Sequence, residues 1–335
     1  MLRFIVRRLA QMVGVVFVLS LLLFLWLRLL PGGTVSAILG DRATPESRAR
    51  LEKALGLDEP LWIQYWRYLK RALTGNFGAS TGVLPGRDAF DIFLARFPAT
   101  IELSIFAILI AVLLGIPMGY LAARRRASLF DNSSIIVSLI GVAVPVFFLA
   151  FLLQYIFAVK LGWLPVSGRQ GNINATRVTG FFVLDGLLTR EWDAAWDALK
   201  HLILPALTLS TIPFAVIFRI TRASVLEVLD EDFVRTAESK GLTNRVIRGR
   251  HVLRNALLPV VTTIGLQVGG LLAGAILTES VFSFGGIGEA LALAFEHRDY
   301  SVLQVLIMAS AATFVLVNLI VDILYAVIDP RVRTR

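Results

Sequence analysis

Apolar residues along the chain gather into six long runs, each about as long as an α-helix must be to cross a bilayer. The runs cover residues 9–30, 101–123, 135–159, 202–218, 257–277 and 302–328. We predict a transmembrane helix in each of them, and an all-helical membrane protein as the fold class. The first run follows a basic start, but it is too long for the apolar core of a signal peptide and no small-x-small cleavage motif follows it. We expect it to be retained as a membrane helix.

Residues 219–259 interrupt this apolar pattern with a charged helix-turn-helix. From Ala223 to Lys240 the apolar positions recur every three or four residues, which predicts a single amphipathic helix. Its apolar positions are Leu226, Leu229, Phe233 and Ala237, and its charged positions are Glu227, Glu231, Arg235 and Glu238. Gly241 can end this helix, and a second, arginine-rich helical stretch leads to Pro259. The pattern fits either a helix lying on lipid headgroups or an element that docks onto a soluble partner.

Composition agrees with a membrane protein, and the basic residues predict its orientation. Of the 335 residues, 56% are hydrophobic, there is no cysteine, and the net charge is +9; the mean hydropathy is +0.74. Basic residues concentrate near the N-terminus, at residues 124–126, in the 219–259 loop and in the C-terminal tail. By the positive-inside rule, these segments and both termini face the cytoplasm. No basic patch is interleaved with aromatic residues, which argues against nucleic acid as a partner.

The connections predicted to face outside contain structure of their own. Within residues 31–99, helical patterns open at Pro45 and Pro60, which predicts a small helical cap on the outer face. Within residues 161–200, Trp192 and Trp196 stand four apart next to a predicted span. Tryptophans at this spacing are typical of an interfacial helix at headgroup level, and stacking on a substrate is the alternative.

Small and ionisable residues inside the spans are candidates for packing and transport. Gly115 and Gly119 predict close helix packing, whereas the glycines of the fifth span fit packing and lining of a pathway equally well. The latter are Gly265, Gly269, Gly270 and Gly274. Proline lies within three predicted spans and should kink them, at Pro117, Pro145 and Pro213. Glu279 and Asp322 are ionisable residues in or at the end of a span, which makes them functional candidates.

Motifs of nucleotide hydrolysis and of hydrolytic catalysis are missing from the sequence. There is no phosphate-binding Gly-x-x-x-x-Gly-Lys-Ser/Thr loop, no His-Glu-x-x-His helix and no Gly-x-Ser-x-Gly turn. We therefore expect no enzymatic activity and no cofactor or metal on this chain. A six-span secondary transporter or channel is the main alternative to a transporter subunit, although such carriers usually hold more ionisable residues at mid-membrane. A membrane scaffold without a transport role would not need kinked, glycine-rich spans.

The 219–259 loop resembles the coupling loop, or EAA motif, of ABC-transporter permeases. The similarity rests on Arg235-Thr236-Ala237, on Gly241 after three intervening residues, and on the string from Arg254 to Pro259. The chain has Arg-Thr-Ala in place of Glu-Ala-Ala and a longer interval from Gly241 to Pro259. Both departures resemble the dipeptide and oligopeptide subgroup. Further strings similar to that subgroup occur at residues 56–62, 75–80, 96–103, 164–169, 265–269, 297–300 and 318–331.

The resemblance implies a type I importer fold and a set of functional residues. It divides the chain into an N-terminal helix at 1–30, an outer helical cap at 31–95 and a permease domain at 96–330. The residues that it implies for coupling to an ATPase are Asp232, Arg235, Thr236, Ala237, Lys240, Gly241 and Pro259. Those for the pathway and its gate are Gly265, Gly269, Glu279, Gly286, Gly288 and Asp322. The gate loop usually has proline where this chain has Gly285.

The resemblance also implies a set of partners. They are a second permease, two cytoplasmic ATPase subunits that bind ATP and Mg²⁺, an extracytoplasmic binding protein that delivers peptide, and the lipid of a bacterial or archaeal plasma membrane. Dipeptides or oligopeptides are the expected cargo. The sequence does not separate them from glutathione or a nickel complex.

Overall fold

The computed structural model describes the backbone of residues 2–29, 35, 39 and 44–328, and within these ranges it leaves out the side chains of 2–5, 54–55, 272–274, 322 and 324–328. The described residues are predominantly helical, and their only β-structure is a single antiparallel bridge between Ala79 and Asp88. The predicted all-helical class is confirmed.

We number the described helices along the chain. They are α1 (Leu2–Leu29), α2 (Pro45–Leu55), α3 (Leu61–Leu73), α4 (Ala89–Arg124), α5 (Leu129–Ala143), α6 (Val146–Leu153), α7 (Phe182–Leu188), α8 (Trp192–Leu229), α9 (Asp232–Ser239), α10 (Asn244–Val246), α11 (Arg254–Phe282), α12 (Ile287–Glu296) and α13 (Tyr300–Ile328). A π-helical segment, Gln154–Lys160, continues α6, and a second, Ile247–Leu253, joins α10 to α11.

Five described helices are long and apolar enough to cross a membrane, or up to seven if two bent helix pairs each form a span. The six predicted spans fall within this range, but the third is not one kinked helix. It is broken into two helices, α5 and α6. The angle between α5 and the second helix, taken with its π-helical extension, is 106°. The break lies at Pro145, because proline disfavours helical backbone at the preceding residue, and Val144 is extended with ψ 127°. By contrast, α4 and α8 continue through Pro117 and Pro213 without interruption.

Helix α8 is much longer than the predicted fourth span and includes Trp192 and Trp196. Trp192 and Trp196 lie in its first two turns, with exposed side chains. The two tryptophans thus belong to the start of the same 38-residue helix as the predicted fourth span, which runs from Trp192 to Leu229.

One compact unit of the chain comprises residues 1–99 and 285–319. Its core is formed by apolar side chains of α1, the start of α4, α12 and α13, among them Leu27, Ile92 and Leu306. The two helices predicted to open at Pro45 and Pro60 are confirmed as α2 and α3, and the Thr44 hydroxyl caps α2 by accepting a hydrogen bond from the Ser47 N–H. The fully buried Asp299 carboxylate accepts hydrogen bonds from the Ser80 hydroxyl and from the three backbone N–H groups of residues 81–83.

The second unit comprises residues 100–284 and 320–335 and is organised around α8. Helix α4 approaches α8 closely at two glycines. A Cβ atom added at Gly119 would lie 2.7 Å from the Phe218 carbonyl oxygen, and one at Gly115 would lie 3.0 Å from the Ile217 side chain. These contacts support the packing interpretation of the glycine pair. A side chain at Gly265 of α11 would likewise collide with Val321.

Candidate functional site

The predicted coupling helix is a separate short helix, α9, and does not continue from α8. Helix α8 ends at Leu229, and Glu231 is extended with φ −72° and ψ 143° before α9 begins at Asp232. The prediction of one helix from Ala223 to Lys240 is therefore wrong. The extended residue resets the helical phase, so that Val234 takes an inward position and Phe233 is 39% exposed.

The end of α9 follows the prediction made for Gly241. The Leu242 N–H donates to the Ala237 carbonyl at 3.3 Å and the Gly241 N–H donates to the Glu238 carbonyl at 2.9 Å. This bonding is typical of a Schellman C-cap. Gly241 has φ +73°, a backbone conformation that glycine adopts without steric cost. A Cβ added there would meet nothing within 4 Å, so the requirement at this position is one of backbone conformation.

Val234 and Ala237 attach α9 to three longer helices through a buried apolar cluster. The other members of the cluster are Ala123 at the end of α4, Val225 in α8, Ile247 and Val252 in the π-helical segment, and Ala256 in α11. Ala237 is 5% exposed within this cluster. Packing inside this cluster requires a small side chain at position 237.

The remaining residues of α9 and of the turn after it are exposed, and we call the exposed residues of 232–246 the coupling surface. Of the predicted coupling residues, it contains Asp232, Arg235, Thr236, Lys240 and Gly241. Three apolar side chains lie among the charged ones and are about 40% exposed, at Phe233, Leu242 and Val246. A partly apolar, partly charged surface of this kind suits a protein partner.

Pro259, the last predicted coupling residue, is not part of the coupling surface. It is inside α11 with an exposed side chain, and its carbonyl accepts a hydrogen bond from the Thr263 hydroxyl at 2.9 Å. The π-helical segment that precedes α11 contributes Ile247 and Val252 to the cluster beneath α9. Single π-helical turns are frequent at functional positions in helices.

A bidentate ion pair connects the end of α8 to the broken third span. Arg222 donates from Nε and Nη2 to the two carboxylate oxygens of Asp131, at 2.6 and 2.8 Å. The Asp131 side chain is 1% exposed and also accepts a hydrogen bond from the Ala127 N–H. A fork of this kind fixes both distance and orientation, so α5 and α8 are coupled close to the coupling loop.

Glu279, predicted for the gate, lies in a buried polar network at the end of α11. It is fully buried and accepts a hydrogen bond from the Thr100 hydroxyl at 2.6 Å. Two residues along α4, the Glu102 carboxylate accepts from Arg169 Nη2 at 2.6 Å and from the Val183 N–H at 2.9 Å. The network joins α4, α11 and α7 to the loop between α6 and α7.

Arg169 holds that loop in place. Its guanidinium also donates to the Gly180 carbonyl at 3.0 Å and stacks on the Phe182 ring at 3.8 Å. The neighbouring Gly168 N–H donates to the Phe282 carbonyl at the end of α11. Burial lowers the pKa of Arg169, and the adjacent Glu102 carboxylate opposes that shift. The guanidinium remains charged, since its ordinary pKa is far above neutrality.

Sequence reasoning assigned no role to Glu102 or Arg169. A signal existed for Glu102, because it is an acidic residue inside the predicted span 101–123, and an ionisable residue in a span is a functional candidate. Arg169 lies in a loop, where an arginine is ordinary. Only its burial and its contact with Glu102 distinguish it.

The other residues predicted for the pathway and its gate are not part of the buried network around Arg169. Gly286 directly precedes α12, and Gly288 is buried in the first turn of that helix. Gly285 has φ +76°, which proline cannot adopt, so this loop differs in backbone conformation from one with proline at this position. Gly269 is buried in α11. The side chain of Asp322 lies outside the described residues.

Within the described part of the chain, no group of three or more His, Cys, Asp or Glu residues could hold a metal ion.

Two family models match the chain. One, described as "binding-protein-dependent transport system inner membrane component", matches residues 115–334. The other, described as the N-terminal part of the same kind of membrane component, matches residues 1–104.

Several curated proteins are similar over nearly the whole chain. A dipeptide transport system permease protein of Alkalihalophilus pseudofirmus is 43% identical over 99% of this chain and 100% of its own length. A di/tripeptide transport system permease protein of Pseudomonas aeruginosa is 47% identical over 99% of both chains. A glutathione transport system permease protein of Escherichia coli is 38% identical over 99% of both.

The fold is similar to that of a solved structure. Inward-facing MetNI, a methionine ABC transporter, matches 71% of this chain and 96% of its own with a TM-score of 0.54, at 15% sequence identity. At that identity the similarity shows a shared fold.

Proposed function

The chain belongs to the family of binding-protein-dependent transport system inner membrane components and is a permease subunit of an ABC importer; from this premise we propose that its cargo is dipeptides or short oligopeptides. The relatives at 43–47% identity are named for dipeptide or di/tripeptide transport, whereas the glutathione relative is 38% identical. In this family ATP is hydrolysed by separate ATPase subunits, and the permease works with other permease, ATPase and binding-protein subunits.

The observation that carries the proposed mechanism is the way in which α9 packs against the long helices. Its two inward residues, Val234 and Ala237, pack against α4, α8 and α11, while the coupling surface remains exposed. In our proposal, an ATPase subunit that binds ATP and Mg²⁺ contacts the coupling surface. Its movement on nucleotide binding displaces α9, and the shared cluster passes the displacement to the three long helices.

The buried network would respond at the other end of the same helices. Both α4 and α11 contribute to the cluster beneath α9, and both contribute acidic side chains to the network around Arg169. We propose that relative movement of these two helices changes the network and thereby the outer gate. A second permease completes the pathway, a binding protein delivers the peptide, and a second ATPase subunit contacts the second permease.

The proposed orientation has both termini and the coupling surface in the cytoplasm of a bacterium or archaeon. In a chain without cysteine, Arg125→Cys, at the exposed turn after α4, and Arg87→Cys, in the exposed loop before α4, provide single labelling sites. We expect an impermeant maleimide to label the Arg87→Cys variant in intact cells and the Arg125→Cys variant only after permeabilisation. Labelling of both in intact cells would contradict the proposed topology.

A substitution at the exposed residue Phe233 tests docking of the ATPase subunit without disturbing the folding of the permease. Phe233→Asp places a charge on the coupling surface at a residue outside the buried cluster, so the permease should fold normally. We expect the ATPase subunits to be lost on purification, with at least a tenfold fall in ATP-driven uptake of labelled dipeptide by proteoliposomes that contain the assembled complex and its binding protein.

The matched control is Leu84→Asp, in an outer loop of the first unit. Leu84 is 38% exposed and Phe233 is 39% exposed, so both changes add the same charge at similarly accessible apolar positions. The control should retain the ATPases and the uptake. If the wild-type complex takes up no dipeptide while its ATPases remain bound, the proposed cargo is wrong. If Phe233→Asp behaves like wild type, the proposed docking surface is wrong.

A further inference from the structure

The first unit contains a cavity of about 270 Å³ with an unbalanced positive charge. Its charged lining residues are Arg28, in the last turn of α1, and Arg71, in the last turn of α3, and no acidic residue lines it among the described residues. Polar side chains that can donate hydrogen bonds complete the lining, at Asn76, Thr81, Ser301 and Gln304. Two guanidiniums that face one cavity repel each other, and an anion bound between them would remove that repulsion.

Arg28 is held in a fixed orientation by its neighbours. Its guanidinium lies 3.6 Å above the centre of the Phe24 ring, and its Nε donates to Gln64 Oε1 at 2.8 Å. Gln64 is itself fixed, because its amide donates to the Leu57 and Glu59 carbonyls. The terminal nitrogens of Arg28 have no recorded hydrogen bond to a described residue. They are available for a ligand without reorganisation of the side chain.

No other described group of the cavity supplies the missing negative charge. The Tyr68 hydroxyl, also in the lining, donates to Met308 Sδ at 2.7 Å. Burial, reinforced by Tyr65 and opposed by Arg28, raises the pKa of Tyr68, so the phenol stays neutral. Arg67, one turn before Arg71 in α3, is paired with Glu59 at 2.8 Å, whereas Arg71 has no carboxylate partner among the described residues.

The position of the cavity indicates where the anion comes from. Arg28 is in the last turn of α1, which as Val6–Leu29 is a candidate membrane span, so the cavity adjoins the end of a span. On α3, Trp62, Trp66 and Leu73 are exposed at spacings of four and seven residues, which places them along one face. Tryptophans exposed in this way, with basic residues beside them, are typical of a helix that lies at the level of the lipid headgroups.

We propose that this cavity binds the phosphate of an anionic phospholipid headgroup. Arg28 and Arg71 contact the phosphate oxygens, and the hydroxyl and amide groups of the lining contact the remaining polar atoms of the headgroup. The site attaches the outer cap to the membrane beside the span that precedes it.

Binding is measured on the detergent-purified, full-length wild-type chain by native mass spectrometry. Three probes are titrated: dioctanoyl phosphatidylglycerol, dioctanoyl phosphatidylcholine and glycerol 1-phosphate. We expect phosphatidylglycerol to bind with higher affinity than the other two. Arg71→Gln should weaken phosphatidylglycerol binding about tenfold, because it removes charge-assisted hydrogen bonds to the phosphate.

The matched control is Lys70→Gln, which removes one positive charge from the adjacent exposed position without altering the lining. It should change the affinity by less than about twofold. Equal weakening by both variants would overturn the proposal, because it would show attraction to general surface charge. Equal affinity for the two lipids would also overturn it. If glycerol 1-phosphate bound as tightly as phosphatidylglycerol, the cavity would be a site for a free anion and the lipid assignment would be wrong.

Discussion

Replacing Ala237 with glutamate is expected to lower the stability of the permease by about 3 to 5 kcal/mol, because the new carboxylate would be buried without a partner. Ala237 is 5% exposed in the cluster that joins α9 to α4, α8 and α11. The loss should therefore be seen in the isolated permease, with no ATPase present. It is measured as a fall in the thermal inactivation temperature in detergent, and as faster amide exchange across residues 225–256.

Ala223→Glu is the matched control, since Ala223 is exposed on α8 outside the cluster. The same substitution there should alter stability by less than about 0.5 kcal/mol. A different outcome would change the assignment of Ala237. If Ala237→Glu kept the stability of the wild type and still released the ATPases, its side chain would belong to the docking contact and not to the internal cluster.

Glu102→Gln is expected to cost a similar amount, about 3 to 5 kcal/mol, because it removes the carboxylate that is hydrogen-bonded to the buried Arg169 guanidinium. The Arg169 and Glu102 side chains are only 10% and 6% exposed, so water cannot replace the lost interaction. We expect the loop between α6 and α7 to loosen. Protease sensitivity in that loop should rise, together with a fall in thermal stability.

Two further variants distinguish a charge effect from a packing effect. Glu59→Gln removes the acidic partner of Arg67 in a more exposed ion pair, where a loss of no more than about 1 kcal/mol is expected. The double variant Glu102→Leu, Arg169→Met removes both buried charges and should be more stable than Glu102→Gln alone. If the double variant were the less stable of the two, the hydrogen bonds and ring contacts of Arg169 would outweigh its pairing with Glu102.

Much of this architecture follows from local rules that the sequence displays directly. Apolar runs of sufficient length predict spans, and the Thr44-Pro45 start of α2 predicts a capped helix. Gly241 predicts the end of α9, because the residue after this helix has a left-handed backbone, with φ +73°, that glycine adopts without strain. Each of these features depends on a few neighbouring residues, so an isolated sequence is enough to recognise it.

Features that depend on tertiary contacts were missed or misplaced. The periodicity from Ala223 to Lys240 conceals one extended residue, Glu231, and that residue changes which side chain of α9 is buried. Proline alone does not reveal that the chain breaks at Pro145 but continues at Pro213, because packing against other helices decides between the two. The partners of Glu102 lie about 70 to 80 positions along the chain, beyond the reach of any local pattern.

Because α9 packs on the permease through two residues only, the residues on its exposed face can be replaced without disturbing that packing. Only Val234 and Ala237 of this helix are buried, so the permease constrains these two positions and leaves the others to be shaped by whichever subunit binds there. During evolution, or in an engineered chimera, the coupling surface could be exchanged for that of another importer while the two inward residues and Gly241 are kept. In the proposed contact with an ATPase subunit, specificity for that subunit would be set by positions that do not determine the packing of the permease.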